Sequence, residues 1–144
     1  MADATRPDLA AMLVPLLRAL LAVETPVLER HDLPMWGYAV LLRLDSEPVY
    51  TQAKLAKAAH ADKTRIIAVL DDLQRRGYIR REPDPADRRR NLISLTPEGR
   101  SARDHAQREI QEQERHLLAH LPAADRTVFL RALATLAEVA EPQD

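Results

Sequence analysis

The stretch that most limits what this chain can become is residues 73–97, L-Q-R-R-G-Y-I-R-R-E-P-D-P-A-D-R-R-R-N-L-I-S-L-T-P. Gly77 sits where a helix should stop, because glycine enters the left-handed region without a Cβ penalty. Tyr78–Glu82 and Leu92–Leu95 alternate and are rich in strand formers, which predicts two strands. The loop between them is longer than the usual hairpin connection of about two to five residues, and it carries Arg88, Arg89 and Arg90 in a row. A stiffly held cationic loop is a poor catalyst and a good probe of a phosphate backbone or a minor groove.

The residues upstream give that loop its setting. Thr51 is a good N-cap for a short helix, Gln52–Ala59. His60-Ala61-Asp62-Lys63 reads as a turn, and a longer helix runs through Arg76 with Ile66, Val69, Leu70 and Leu73 inward. Helix, tight turn, helix and then a strand-loop-strand is the winged helix-turn-helix pattern. Downstream, Thr96-Pro97-Glu98 opens another helix, with Thr as cap, Pro in the first turn and Glu behind it. That helix extends to about His120 and is broken at Leu121-Pro122, and a last helix carries Phe129, Leu133, Leu136 and Val139.

The N-terminal part is helical too. Residues 6–30 place Leu9, Met12, Leu13, Leu16, Leu17, Leu20 and Leu21 at helical spacing. Thr5 is a candidate cap, Pro7 is tolerable in a first turn, and Pro15 and Pro26 are expected to kink or break the helix. His31-Asp32-Leu33-Pro34 connects it to a helix over 35–45 whose inner side is Trp36, Val40, Leu41 and Leu44. The expected fold class is mainly α with a small β-hairpin wing. Within the single chain 1–144, residues 33–97 form the winged-helix lobe, and 5–31 with 98–141 form a helical dimerisation lobe. Long helices with narrow apolar faces bury little alone, which predicts interlocking termini in a homodimer.

Charge supports a basic working surface. The net charge is −1, but residues 54–103 hold 13 Lys/Arg against 7 Asp/Glu, a balance of +6, and the remainder carries −7. Cysteine is absent, which excludes disulfides, thiolate zinc sites and cysteine redox sensing and points to a reducing cytoplasm. No apolar run approaching ~20 residues is evident, so no membrane partner is expected. The N-terminus lacks the pattern of a secretion signal. With only three glycines there is no phosphate-cradling loop, nucleotide fingerprint or Gly-flanked serine. An enzyme is therefore not expected, and no cofactor is implied.

In a winged helix the second motif helix enters the major groove with its leading residues. Here those are Lys63, Thr64 and Arg65, with Ala68 one turn later. Arg and Lys suit guanine edges, and Thr offers a hydroxyl or a methyl. Arg88, Arg89 and Arg90 would reach the flanking backbone or minor groove. Thr51 and Gln52 at a helix start, together with Arg75, Lys54 and Lys57, are further phosphate candidates.

The stretches T-Q-A-K-L-A-K-A, L-D-D-L-Q-R-R-G-Y-I-R-R and D-P-A-D-R-R-R-N-L-I-S-L-T-P-E-G together resemble the MarR family of bacterial transcription regulators. The wing followed by L-T-P-E-G at fixed spacing is the specific part. The resemblance covers roughly residues 33–121 by motif and the whole chain by helix order. It implies a homodimer that binds a palindromic operator on double-stranded DNA, modulated in many members by a small-molecule effector. By analogy Asp87 pairs with Arg89 to shape the wing, leaving Arg88 or Arg90 at its tip. Three positions depart from the family pattern. Ile67 stands where Ser or Thr is frequent, Ala68 where Arg is frequent, and His60 where Gly is common.

Two other groups carry alternatives. His116 and His120, four apart with Glu112 a turn earlier, are candidate metal ligands and would make the chain a metal-responsive regulator. The competing reading is a solvated helix end, where His is electrostatically favoured. His31, Trp36 and Tyr38 are candidates for an effector pocket, against a reading of Trp36 as a core anchor. A winged-helix module that binds an acidic protein instead of DNA is the rival in function.

Overall fold

The computed structural model describes residues 5–46, 48–59 and 62–141, the side chains of Ser46 and Lys63 excepted. The elements are α1 (Leu9–Arg30), α2 (Met35–Ser46), β1 (Val49–Thr51), α3 (Gln52–Ala58), α4 (Lys63–Arg75), β2 (Ile79–Pro83), β3 (Asn91–Leu95), α5 (Pro97–Leu118) and α6 (Ala123–Ala140). Of the described residues, those up to Ile110 form one compact unit and those from Gln111 onward a second. The fold class is the expected one, mainly α with a winged helix-turn-helix.

In the first unit, the core is built where helical periodicity aims apolar residues inward. Val40, Leu41 and Leu44 of α2, Leu55 of α3, Ile66, Leu70 and Leu73 of α4, and Ile93 of β3 are all buried. Trp36, expected on the inner side of α2, is only half-buried. The sheet has the order β1-β3-β2, with both pairs antiparallel. Strand β1 was not anticipated. It is three residues long and pairs Tyr50 with Ile93, so its strand character comes from the β3 backbone rather than from its own pattern.

Helix ends follow local chemistry, with exceptions. Thr51 caps α3, its hydroxyl accepting from Lys54 N at 3.3 Å. Asp62 caps α4, accepting from Arg65 N at 2.7 Å. Gly77 lies at φ 78° and closes α4, Gly77 N donating to Gln74 O and Tyr78 N to Leu73 O. The same closure ends α1, but with Asp32 at φ 53° in the left-handed place. Asp32 N and Leu33 N donate to Glu29 O and Leu28 O, and Arg76 from the end of α4 donates to Asp32 O. A short polar side chain tolerates this conformation better than a branched one.

Two local expectations for α1 fail. Thr5 does not cap it, because the helix begins at Leu9 behind Asp8, and Pro7 accordingly precedes it. Pro15 and Pro26 lie inside a continuous helix. The expected absence of a membrane-length apolar segment is also corrected. Leu9–Arg30 contains a window of mean hydropathy 1.7, long enough by composition to cross a bilayer. Arg18 and Glu24 interrupt the apolar run without lowering its mean much. Little of α1 is covered: only Val27 and Leu28 are buried, and Leu9, Met12, Leu13, Val14 and Leu17 are exposed.

The root of the wing is the tightest junction. Thr96 N donates to Tyr78 O at 3.1 Å. The Thr96 hydroxyl donates to Gly77 O at 2.6 Å and accepts from Gly99 N at 3.0 Å. Gly99 is buried, and a Cβ there would overlap the Tyr78 carbonyl oxygen and come within 2.9 Å of Leu95 Cδ1. The L-T-P-E-G motif thus caps α5 and brings its first turn onto the end of α4. Nearby, Arg103 of α5, 6% exposed, ion-pairs with Asp45 of α2 and with Asp104 at 2.5 Å. Arg100 adds a 2.7 Å bond to Asp45.

In the second unit, α6 buries no residue completely, and Val128, Leu130, Leu133, Leu136 and Val139 are exposed. His116 lies in the last turn of α5, while His120 lies beyond the helix end at Leu118. The i, i+4 helical spacing inferred for this pair therefore does not hold.

Two outcomes follow for stability. Gly99→Ala forces a side chain against a backbone carbonyl that cannot rotate away, and a loss of about 1–3 kcal/mol or more is expected in urea unfolding followed by Trp36 fluorescence. The Arg103 guanidinium holds the Asp45 carboxyl below its usual value of 3.8. Its stabilisation is complete above that value and is lost as pH falls through the lower folded-state value. In acid titrations, Asp45→Asn should be less stable than the parent near neutrality and should flatten the fall in stability below about pH 4.

Candidate nucleic-acid interface

The wing loop is built by two aspartates. Asp84, 9% exposed, accepts from Ala86 N at 2.9 Å and from Arg90 Nη2 at 3.1 Å. Its own N–H donates to Arg90 O at 2.8 Å, which closes the loop. Asp87 accepts from Arg89 N at 3.1 Å and Arg89 Nε at 3.2 Å, and lies 3.7 Å from Arg90 Nε. Short Asp side chains turn the chain this way because each binds a backbone N–H two residues on. Asp84 was missed in the sequence. The signal available was D-P-A-D, which puts a second turn-forming Asp three residues before Asp87, at the root of the loop.

The three arginines consequently differ. Arg90 is tied to both aspartates and does not stand at the tip. Arg89 pairs with Asp87 yet keeps 91% of its side chain exposed. Arg88 is exposed and has no partner among the described residues. Arg88 and Arg89 leave charge facing outward on a loop that Asp84 and Asp87 brace from within.

The leading turn of α4 presents Thr64, Arg65, Ile67 and Ala68, all exposed. Lys63 opens the helix, and its side chain, like His60, lies outside the described residues. Arg65 does not point freely outward. Its guanidinium lies 5.3 Å from the centre of the Trp36 ring, a cation–π distance. Thr64, Ile67 and Ala68 fall on one face, three and four residues apart. A groove of about 260 Å³ joins that face to the wing and to the start of α3, lined by Thr51, Gln52, Ala53, Ile67, Arg89 and Arg90 among others.

Not every candidate gathers there. Arg75 lies at the far end of α4, about 18 Å from Lys63 along the axis, where it pairs with Asp72 and stays 76% exposed. Tyr38 is buried in the core. His31 ends α1, its Nε2 2.6 Å from Glu109 of α5. Arg30 donates to the same carboxylate at 2.9 Å through Nε. Arg30 first, and then His31, hold the Glu109 carboxyl below its ordinary value. His31, Trp36 and Tyr38 thus have three different environments. Among the described residues no three His, Asp or Glu side chains are grouped to hold a metal.

Comparison with known proteins agrees with this geometry. The model of the MarR family matches residues 34–90, from the start of α2 through the last wing arginine. Transcriptional regulator HosA of Escherichia coli O127:H6 is 31% identical over 103 residues, covering 72% of this chain and 76% of HosA. Two further curated regulators are matched over 60% and 53% of their own lengths. A crystal structure of MarR superposes with a TM-score of 0.82 at 29% identity, covering 94% of this chain and 92% of that one. The transcriptional repressor CouR, solved on a 23-mer DNA duplex, gives 0.76 at 27% identity, over 90% of this chain and 92% of its own. These relatives are regulators rather than enzymes. The family match over the winged helix-turn-helix, the identity with HosA and the superposition on MarR together place the chain in the MarR family of transcriptional regulators.

Proposed function

We propose that this chain is a sequence-specific DNA-binding regulator that acts as a homodimer on a palindromic operator, under the control of a small ligand. The observation that carries the reading is the self-supporting wing, whose arginines stay charged and exposed beside an accessible recognition helix. A loop braced internally by Asp84 and Asp87 presents cations without an ordering cost on binding. In this reading Thr64 and Arg65, with Lys63, enter the major groove. Arg88 and Arg89 meet the adjacent backbone or minor groove, and Thr51 and Gln52 meet phosphate. Arg90, committed to Asp84, mainly holds the loop, and Arg75 contributes at most to the long-range field.

The homodimer is supported by α1 and α6, which leave apolar residues uncovered in a single chain. Large exposed apolar surfaces of this kind mark association sites. Two winged lobes then read half-sites about one helical turn, roughly 10 bp, apart or a multiple of it. Such a regulator works in the cytoplasm, where it meets its operator. Ligand control is supported by the contact between Trp36 and Arg65. A molecule that displaces Trp36 unseats a cation of the recognition helix, and it controls binding only if it prefers one arrangement over the other.

Titration of fluorescent duplexes recovered from a random pool tests the reading. Affinity should fall steeply with salt, with a log–log slope of about −0.9 per phosphate neutralised. Arg88→Ala should weaken binding to every duplex alike and reduce that slope by about one. Asp84→Ala removes no positive charge yet should weaken binding at least as much, because it frees the loop. A salt-independent isotherm, or a monomer in sedimentation, would overturn the proposal.

A further inference from the structure

The recognition helix carries an apolar residue where a polar reader would be expected. Ile67 is 45% exposed, although its neighbours Ile66 and Leu70 are completely buried. It sits at the centre of the outward face, between Thr64 and Ala68, which are also exposed. Arg65, in the same leading turn, is drawn to one side over Trp36. Ile67 therefore stands on this face between two short side chains, Thr64 and Ala68.

The surroundings say what should cover it. The groove beside Ile67 is lined by the apolar Ala53, Ala56 and Ile66 and by the polar Thr51, Gln52, Arg89, Arg90 and Asn91. Apolar side chains beside the exposed Arg89 guanidinium match an object with an apolar point next to an anionic rail. Of the four base edges in a major groove, only thymine offers an apolar group there, its C5 methyl. Guanine, adenine and cytosine offer polar atoms that Ile67 cannot pair, and desolvating them without a partner is costly.

We propose that Ile67, flanked by the Thr64 and Ala68 methyls, is a specificity-determining residue that selects thymine by its C5 methyl in each half-site. This rests on the DNA-binding reading above. The group recognised is one methyl, so its effect is bounded. Burying one such carbon corresponds to about a four-fold change in affinity per half-site.

Exchange of thymine for deoxyuridine tests this directly, since it deletes the methyl and leaves base pairing unchanged. A duplex recovered by the wild-type protein from a random pool is remade with deoxyuridine at each thymine in turn. The expected result is a loss of about four-fold at one thymine per half-site and little change elsewhere. Ile67→Ser should bind the thymine and deoxyuridine duplexes equally at that position. Because Ile67 is exposed, its thermal unfolding should match the parent. Equal binding of every deoxyuridine duplex by the wild type overturns the proposal while leaving DNA binding intact, and so does an Ile67→Ser variant that still prefers thymine. Failure to recover any duplex removes the DNA-binding reading and this proposal together. The wild-type series decides the matter even if the variant does not fold.

Discussion

The Thr96 hydroxyl is the contact on which the working end of this molecule depends. It donates to the carbonyl of Gly77 and accepts from the amide of Gly99, so one oxygen joins the end of α4 to the start of α5. Between those two points the chain leaves as β2, turns through the wing and returns as β3. Both strands are thereby rooted at one side chain beside the end of the recognition helix. Gly99 is part of the same constraint, because only a residue without Cβ lets the helix lie against the Tyr78 carbonyl. The cost of this arrangement is a pair of positions with almost no freedom to vary, and it secures a fixed distance between loop and helix.

A second layer of ion pairs transmits that rigidity. Asp45, Arg100 and Arg103 bind α2 to α5, and Arg76 holds the α1–α2 connector through Asp32. Exposed ion pairs contribute little stability one by one. Arg103 is different because it is buried, where an unpaired guanidinium would be strongly unfavourable. These contacts act less as sources of stability than as conditions on where helices are allowed to lie. Trp36 belongs to the same set, since it joins α2 to the leading turn of α4 through Arg65.

Much of the fold was legible because its determinants are local. Gly77, the Thr51 cap, the Thr96-Pro97 helix start and the inward residues of α2 and α4 each act within a turn of themselves. The candidate interface was legible only in outline. The arginine run announced a basic wing, but not that Arg90 would be spent on Asp84 while Arg88 stayed free of any partner among the described residues. Asp84 was overlooked because its role depends on the chain returning to it at Arg90. Local rules kink or break a helix at Pro15 and Pro26, and of these two outcomes the break does not occur, since α1 runs through both.

What the amino-acid order determined alone is the period, the punctuation and the charge: which segments are helices, where they stop, and where cations collect. These follow from side-chain sterics and backbone hydrogen bonding over a few residues. What only the tertiary structure decided is which of the surface groups remain available. Strand β1 exists because β3 lies beside it, Arg65 is turned aside because Trp36 stands near, and Ile67 is left uncovered because no other part of the described chain reaches it. Each of those outcomes depends on residues far apart in the chain, and no pattern within a single segment encodes the meeting of two.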